Sequence, residues 1–165
     1  LRGKRMVLAD RTEALRNKLK TMNITLLENQ RRTLRLPEGV LVIAGVDDPW
    51  SGKAEVTRTL EGISNEAAVI LLAHNPDVVL DQMSKRANLI VSGHTHGGQF
   101  RLPFIGPLAP IPTKLGPKFD QGIFAIDSDT TLAITRGVGE TLSRARLFAW
   151  PEVMVVETMS AGAVR

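Results

Sequence analysis

The chain of 165 residues contains three histidines, and each follows an apolar run of the kind that forms buried strands. His74 comes after Leu71-Leu72-Ala73, and His94 and His96 stand in a glycine-rich turn after Leu89-Ile90-Val91. Open α/β sheets place their ligand sites at the carboxyl ends of strands, and imidazole is the commonest protein ligand of transition metals. A single histidine at a strand end is usually a hydrogen-bonded core or surface residue. Three in two matching contexts predict a metal site.

Four further residues are candidates for substrate binding, each with a structural alternative. Asp47 ends a buried strand at the edge where a substrate would lie, but it also suits a turn or a helix cap. Asn75 could donate to a phosphate or orient His74, and it could equally cap a helix that begins at Pro76. Gln99 and Arg101 leave the histidine turn towards the expected pocket.

Three arginines near the carboxyl end could hold phosphate oxygens through two hydrogen bonds each. They are Arg136, Arg144 and Arg146, and for each of them surface ion pairing is the favoured interpretation.

Composition bounds the class of protein. Hydrophobic residues make up 43% and charged residues 23% of the chain, as in ordinary globular domains, and the length suits one domain over residues 1–165. The absence of cysteine excludes disulfides and thiolate metal sites, and it is compatible with a cytoplasmic or an exported protein. No apolar run reaches the roughly 18 residues of a membrane span.

The net charge of +4 is unevenly distributed, because residues 1–35 hold ten Lys or Arg and only three acids. This basic region lies away from the glycine-rich turn, aromatic residues are only 4%, and no recognition motif is present. We therefore expect no nucleic-acid partner.

Hydrophobic periodicity predicts alternating strands and helices followed by hairpins, which is typical of one mixed α/β domain. The predicted strands are 24–27, 33–36, 40–46, 68–73, 89–92, 123–126, 132–135 and 152–158, and the predicted helices are 12–22, 53–60 and 77–85. Residues 103–117 hold five of the nine prolines and are predicted to form an ordered loop or flap. The apolar flap residues Phe104, Ile105 and Leu108 could line a wall for a lipid-like leaving group, although plain packing of a long loop is favoured.

The motif Gly93-His94-Thr95-His96, with His74 upstream, resembles the last two metal-binding blocks of the calcineurin-like metallophosphoesterases, and its surroundings resemble a bacterial branch of predicted phosphohydrolases. The resemblance extends from about Glu13 onward. The other matching segments are Gly45-Val46-Asp47-Asp48-Pro49-Trp50, Leu71-Leu72-Ala73-His74-Asn75-Pro76-Asp77, Leu102-Pro103-Phe104-Ile105-Gly106 and Arg136-Gly137-Val138-Gly139 to Pro151-Glu152-Val153.

The resemblance implies a four-layer α/β/β/α sandwich with two divalent ions, Mn, Fe or Zn, at the carboxyl ends of the central strands. It implies that His74 and His94 bind one ion and that His96 binds the other. The family's remaining ligands come from Asp-x-His, Gly-Asp and Gly-Asn-His blocks, none of which occurs here, and Asp10 has no histidine nearby. We therefore expect the carboxyl-terminal half of the sandwich, incomplete at its amino terminus, with at most one ion.

Two functions from different classes follow. The first is a metal-dependent phosphoesterase that acts on a phosphodiester, a phosphomonoester or a pyrophosphate, with negligible activity for this chain alone. The second is a non-catalytic half-fold or interaction module. Because half a sandwich exposes one apolar sheet face, we expect self-association or contact with the complementary half. Membrane association is expected only if an amino-terminal segment provides it.

Overall fold

Three apolar runs form the centre of a six-stranded sheet in the computed structural model, which describes residues 11–159. They are β2 (Gly39–Gly45), β3 (Ala68–Leu72) and β4 (Leu89–Ser92), and neighbouring strands among them are parallel. Parallel strands with covered faces read as continuous apolar sequence, which is how these runs appear. All three carboxyl ends therefore meet at one edge of the sheet.

Three further strands complete the sheet: β1 (Gln30–Leu36), β7 (Gly122–Ala125) and β8 (Thr131–Ile134). The order of the six strands is β1-β2-β3-β4-β8-β7. The strand β1 pairs antiparallel with β2, and β8 lies parallel to β4. The strand β7 pairs with β8 as the predicted hairpin. In its turn Asp127 Oδ1 accepts hydrogen bonds from two backbone N–H groups, which lower the pKa of the Asp127 carboxyl.

The helices are few and short. The predicted amino-terminal helix is confirmed as α1 (Thr12–Thr21), and the predicted helix at 53–60 is reduced to α2 (Val56–Leu60). The helix predicted at 77–85 is wrong, because this segment forms two 3₁₀ helices, Pro76–Leu80 and Gln82–Arg86. Asp81 ends the first and caps the second through its side chain, which interrupts a continuous α-helix.

Two predicted strands are absent from the described residues. Residues 24–27 and 152–158 have no strand partner, and Val153 and Val155 stay exposed. Alternating apolar residues form a strand only where another strand accepts their backbone hydrogen bonds. The predicted flap is ordered, as expected, but it contains a hairpin of β5 (Arg101–Leu102) and β6 (Gly106–Pro107).

The core lies on one face of the sheet, where α2 and the 3₁₀ helices cover it. Its central side chains have little or no exposure to solvent. They include Val42, Ala44, Val69, Leu71, Ile90, Leu132 and Ile134 from the sheet and Val56, Leu60, Val78 and Val79 from the helical layer. This confirms an α/β arrangement of a mixed sheet with helices, with two layers among the described residues.

The opposite face of the sheet is apolar but less covered. Strand register places Leu34 opposite Leu41 and Leu72 opposite Val91, so these side chains point to the same side. Leu34, Leu72 and, at the far edge, Ile123 are exposed. No helix within residues 11–159 has the length and hydropathy needed to cross a bilayer.

Candidate metal centre

The sheet brings His74 and His94 together at its carboxyl edge. Each histidine continues a parallel strand, and the backbone N–H of Gly93 donates to the carbonyl of His74 at 3.0 Å, which extends the pairing beyond the strands. The two imidazole centroids are 5.1 Å apart and the ring planes meet at 80°. These two rings therefore lie beside each other at this edge of the sheet.

The imidazole of His94 is partly buried and kept in its neutral form. Burial lowers the pKa of His94 below its usual 6.5, and the neighbouring His74 lowers it further. Its Nε2 atom is buried and has no hydrogen-bond partner among the described residues. Buried polar atoms normally have a partner, so this nitrogen is available to a ligand.

His96 lies in the same cleft but faces different partners. Its Nδ1 is 3.0 Å from the carbonyl oxygen of Gly139, and its Nε2 is 3.1 Å from Oγ1 of Thr141. Both ring nitrogens are therefore within hydrogen-bond distance of a protein group. The structure does not join His96 to the ring pair of His74 and His94.

The turn that carries both motif histidines has an uncommon backbone. His94, His96 and Gln99 have φ values of 68°, 54° and 52°, although none is a glycine. Positive φ is uncommon for such residues and clusters at functional sites. Glycine is required at Gly98, because a Cβ there would lie 2.6 Å from Cβ of Pro107 in the flap. The turn is thus fitted closely to its surroundings.

Trp50 packs against the imidazole of His94. The indole and imidazole centroids are 4.7 Å apart in an edge-to-face arrangement. The indole N–H donates to Oδ2 of the buried Asp77 at 2.9 Å, and Oδ1 of Asp77 accepts from the hydroxyl of Thr113 and, at 2.8 Å, from the backbone N–H of Lys114. One buried carboxylate therefore holds the Trp50 loop and the flap beside the histidines.

Sequence reasoning missed this role of Trp50 and Asp77. Both residues belong to segments that match the family, but the sequence does not indicate that their side chains bind each other. Two signals pointed to them: a tryptophan directly after Asp-Asp-Pro, and an acidic residue at the start of a predicted helix next to a candidate ligand.

Arg146 organises the loop that surrounds His96. Its guanidinium donates to the carbonyls of Ala149 at 2.8 Å, Arg136 at 3.1 Å and His96 at 3.2 Å, and it also contacts the carbonyl of Gly139. Five fixed donors let one arginine satisfy several carbonyls. The sequence suggested phosphate binding or surface ion pairing for Arg146, and the structure shows neither. It gives Arg146 backbone contacts instead.

The other predicted candidates have mainly structural contacts. Asn75 is fully buried and its Oδ1 accepts from the N–H of Asp77, which makes it the cap of the 3₁₀ helix. Its Nδ2 has no partner among the described residues. Oδ1 of Asp47 accepts from the N–H of Asp48 at 2.7 Å, as in the turn alternative.

Gln99 and Arg101 are likewise engaged within the protein. The Gln99 amide donates to the carbonyls of Ser143 and Ala145 and accepts from the N–H of Thr141. Arg101 lies 2.9 Å from Asp120 in an ion pair that is not aligned as a hydrogen bond. Neither lines the cleft of the histidines.

That cleft has a volume of about 630 Å³ and opens at the carboxyl edge of the parallel strands. Arg136 contributes to its wall, with its Nε donating to the Glu152 carboxylate at 2.8 Å. The lining residues are Thr25, Leu26, Leu27, Gly45, Val46, Leu72, Ala73, His74, Val91, Ser92, Gly93, His94, His96, Thr135, Arg136, Gly137 and Gly139.

The donor atoms fit part of a metal site. Two imidazoles lie close together in an edge-to-face arrangement, and Nε2 of His94 is buried without a partner among the described residues, which suits a divalent transition ion. No group of three or more His, Asp or Glu side chains within residues 11–159 is arranged to hold an ion. His96 is turned to Gly139 and Thr141 and is not grouped with the other two histidines in the described residues.

Sequence comparison with known proteins identifies the family of the chain. The chain is 38% identical over 132 residues to the uncharacterized metallophosphoesterase YkuE of Bacillus subtilis, covering 79% of this chain and 45% of that protein. It is 34% identical over 140 residues to the phosphodiesterase YaeI of Escherichia coli, covering 84% of this chain and 49% of YaeI. Over its matched residues, the chain belongs to the calcineurin-like metallophosphoesterase family.

A more distant metallophosphoesterase relative is named for its substrate. The UDP-2,3-diacylglucosamine pyrophosphatase LpxG of Chlamydia muridarum is 28% identical over 139 residues, covering 81% of this chain and 41% of LpxG. The chain thus spans about half the length of the curated metallophosphoesterases it matches. No family model and no solved structure matches the chain.

Proposed function

We propose that His74 and His94 supply two ligands of a divalent metal ion in a phosphoester hydrolase. The observation that supports this most is the pair of neighbouring imidazoles, 5.1 Å apart between centroids, with the buried, unpartnered Nε2 of His94. The substrate is a phosphate ester: the names of the relatives suggest a phosphodiester or a pyrophosphate, and a phosphomonoester is the third class that such a site could hydrolyse. Catalysis requires ligands beyond this pair, so we expect negligible turnover by this chain alone.

A bound divalent ion would supply Lewis-acid stabilisation of the charge that develops on phosphate oxygens. The chain's own residues prepare the place for it. The lowered pKa of His94 keeps its imidazole neutral near pH 7, which is the form that binds a cation. Trp50 packs edge to face against the imidazole of His94 and helps to fix its orientation.

Two more residues of the cleft are assigned roles in this proposal. The ring of His96, whose Nδ1 is held by Gly139, would bind a second ion through Nε2 in exchange for its contact with Thr141. Arg136, whose charge is largely offset by Glu152, would contact phosphate oxygens from the cleft wall. Asp47, Gln99 and Arg101 have indirect roles in this proposal, because their side chains bind other parts of the chain. In contrast, the buried Nδ2 of Asn75 has no partner among the described residues and is a donor beside His74.

Metal binding tests the assignment without requiring activity. We expect isothermal titration of the purified chain with Mn²⁺ or Zn²⁺ to show weak binding of one ion. His74→Ala and His94→Ala should each lower the affinity about tenfold or more, since each removes one of two ligands. His96→Ala is the matched control and should leave this affinity nearly unchanged. Unaltered affinity in His94→Ala would contradict the proposal.

Hydrolysis of bis(p-nitrophenyl) phosphate with Mn²⁺ tests the expected lack of activity. Robust turnover that disappears in His94→Ala would show that this chain holds a complete site.

A non-catalytic interaction module is the second candidate. The exposed apolar side chains Leu34, Leu72 and Ile123 on one sheet face favour it, because an apolar sheet face normally packs against another layer. Elemental analysis and the metal titration separate the two candidates. A chain that contains no metal after purification and binds none in the titration supports the interaction module.

A further inference from the structure

The tip of the β5–β6 hairpin presents two large apolar side chains to solvent. Phe104 is fully exposed, at 109% of its reference area, and Ile105 is 74% exposed. The strands pair through Arg101 with Pro107 and Leu102 with Gly106, which leaves Pro103, Phe104 and Ile105 as the turn. Phe104 has a φ of 68°, so the turn is tight. The hairpin therefore ends in a narrow, convex apolar tip.

The base of this hairpin is fixed to the body of the protein. The N–H of Leu108 donates to the carbonyl of Phe100 at 2.9 Å, and the N–H of Arg101 donates to the carbonyl of Leu147 at 3.0 Å. The contact between Gly98 and Pro107 joins the hairpin to the histidine turn. The tip is thus presented at a set position next to the metal centre.

The segment that carries the tip has cationic but no acidic side chains, and Arg101 at the base of the hairpin pairs with Asp120, which follows this segment. Residues 82–119 contain no Asp or Glu, but they contain five cationic side chains. Lys114 and Lys118 follow the tip in the flap and are exposed. The prolines at 103, 107, 110, 112 and 117 have no backbone N–H, so the flap carries fewer donors that would need a partner in an apolar phase.

We propose that the tip residues Phe104 and Ile105 insert into the interface of a bilayer that contains anionic lipid. A convex tip with two apolar side chains can enter the soft boundary between head groups and acyl chains, while nearby lysines attract anionic head groups. This surface differs from an amino-terminal membrane segment. The inference does not depend on the proposed metal site, and it would place the cleft beside the head groups.

Vesicle flotation of the full chain tests the proposal. We expect binding to vesicles of phosphatidylcholine with phosphatidylglycerol and weaker binding to phosphatidylcholine alone. The double variant Phe104→Asn/Ile105→Ser should reduce the bound fraction roughly tenfold or more, because both apolar side chains are lost. Asparagine tolerates positive φ, so the turn should be preserved.

Leu80→Ser is the matched control, because Leu80 is 54% exposed but lies in the 3₁₀ helix Pro76–Leu80, outside the hairpin and outside the open sheet face. We expect this variant to bind vesicles as the parent does. The proposal is overturned if neither kind of vesicle binds the chain, or if the double variant binds as well as the parent. It is also overturned if the tip mediates self-association in place of vesicle binding.

A fluorescent variant gives a second, independent measurement. Phe104→Trp adds a reporter at the tip to the natural Trp50 and Trp150. We expect its emission to shift to shorter wavelength with anionic vesicles, and to be quenched by brominated phosphatidylcholine more strongly than the parent emission. If the emission of the Phe104→Trp variant is the same with and without anionic vesicles, insertion of the tip is overturned.

Discussion

The imidazole of His94 is positioned by packing more than by hydrogen bonds. Trp50 lies against one side at 4.7 Å and His74 against another at 5.1 Å, while Nε2 has no partner among residues 11–159. The position of Trp50 depends in turn on Asp77, whose buried carboxylate accepts its indole N–H. Asp77 is therefore a positioning residue that acts on His94 through Trp50.

Asp77→Asn should destabilise the protein and loosen Trp50. The Asp77 carboxylate accepts from Trp50, Thr113 and Lys114, whereas an asparagine amide has one oxygen and turns its NH₂ group towards a donor. We expect a loss of about 1–3 kcal/mol in the free energy of unfolding, measured by urea denaturation. Tryptophan emission and the imidazole NMR signals of His94 should change in the folded variant.

The exposed Glu66 provides a matched control for this removal of charge. Glu66→Gln should alter the free energy of unfolding by less than about 0.5 kcal/mol. Equal stability of the Asp77 and Glu66 variants would show that the buried carboxylate is not an important support.

At the scale of elements, the histidine turn packs against two loops. Gly98 lies against Pro107 of the flap hairpin, and the carbonyl of His96 accepts from Arg146 of the carboxyl-terminal loop. A turn with several positive φ values persists only where surrounding structure holds it. The flap and the loop that contains Arg146 therefore hold the backbone of the histidine turn in place.

Gly98→Ala tests this fit, and Gly62→Ala is its control. The two glycines have similar φ values, 76° and 72°, but an added Cβ meets the Pro107 ring at Gly98 and nothing within 4 Å at Gly62. Both variants should lose about 1 kcal/mol from the strain of positive φ. Gly98→Ala should lose roughly 1–3 kcal/mol more from overpacking. Similar losses in urea denaturation would show that the turn can shift away from the flap.

The sequence predicted the elements that are set by local pattern. The apolar runs of β2, β3 and β4 were recognisable because a buried parallel strand needs continuous apolar sequence. It failed for residues 152–158, because alternation of Val153 and Val155 does not reveal whether a partner strand exists. It also failed where side chains compete with the helix, as Asp81 does between the two 3₁₀ helices.

The same distinction holds for the site. His74 and His94 were predicted to meet because both end parallel strands, and parallel strands share one edge. The contacts of Trp50 with Asp77 and of Arg146 with the His96 loop join residues 27 and 50 positions apart. Such pairings depend on the path of loops, which local pattern does not specify.

At the scale of the molecule, the two faces of the sheet differ in cover. One face is closed by α2 and the 3₁₀ helices, whereas Leu34, Leu72 and Ile123 on the other face are exposed. Exposed apolar patches on a soluble domain mark interaction surfaces or sites of aggregation. The open face also borders the histidine cleft through Leu72.

We expect the chain to self-associate through this open face, since burial of apolar area drives association. Light scattering after gel filtration should give a mass above that of the monomer, rising with protein concentration. Leu34→Gln/Ile123→Gln places amides at both edges of the face and should shift the chain towards the monomer. Leu80→Gln, on the opposite side in the 3₁₀ helix Pro76–Leu80, is the matched control and should not. A parent chain that stays monomeric at all concentrations, with little binding of a hydrophobic dye, would show that the open face tolerates water without a partner.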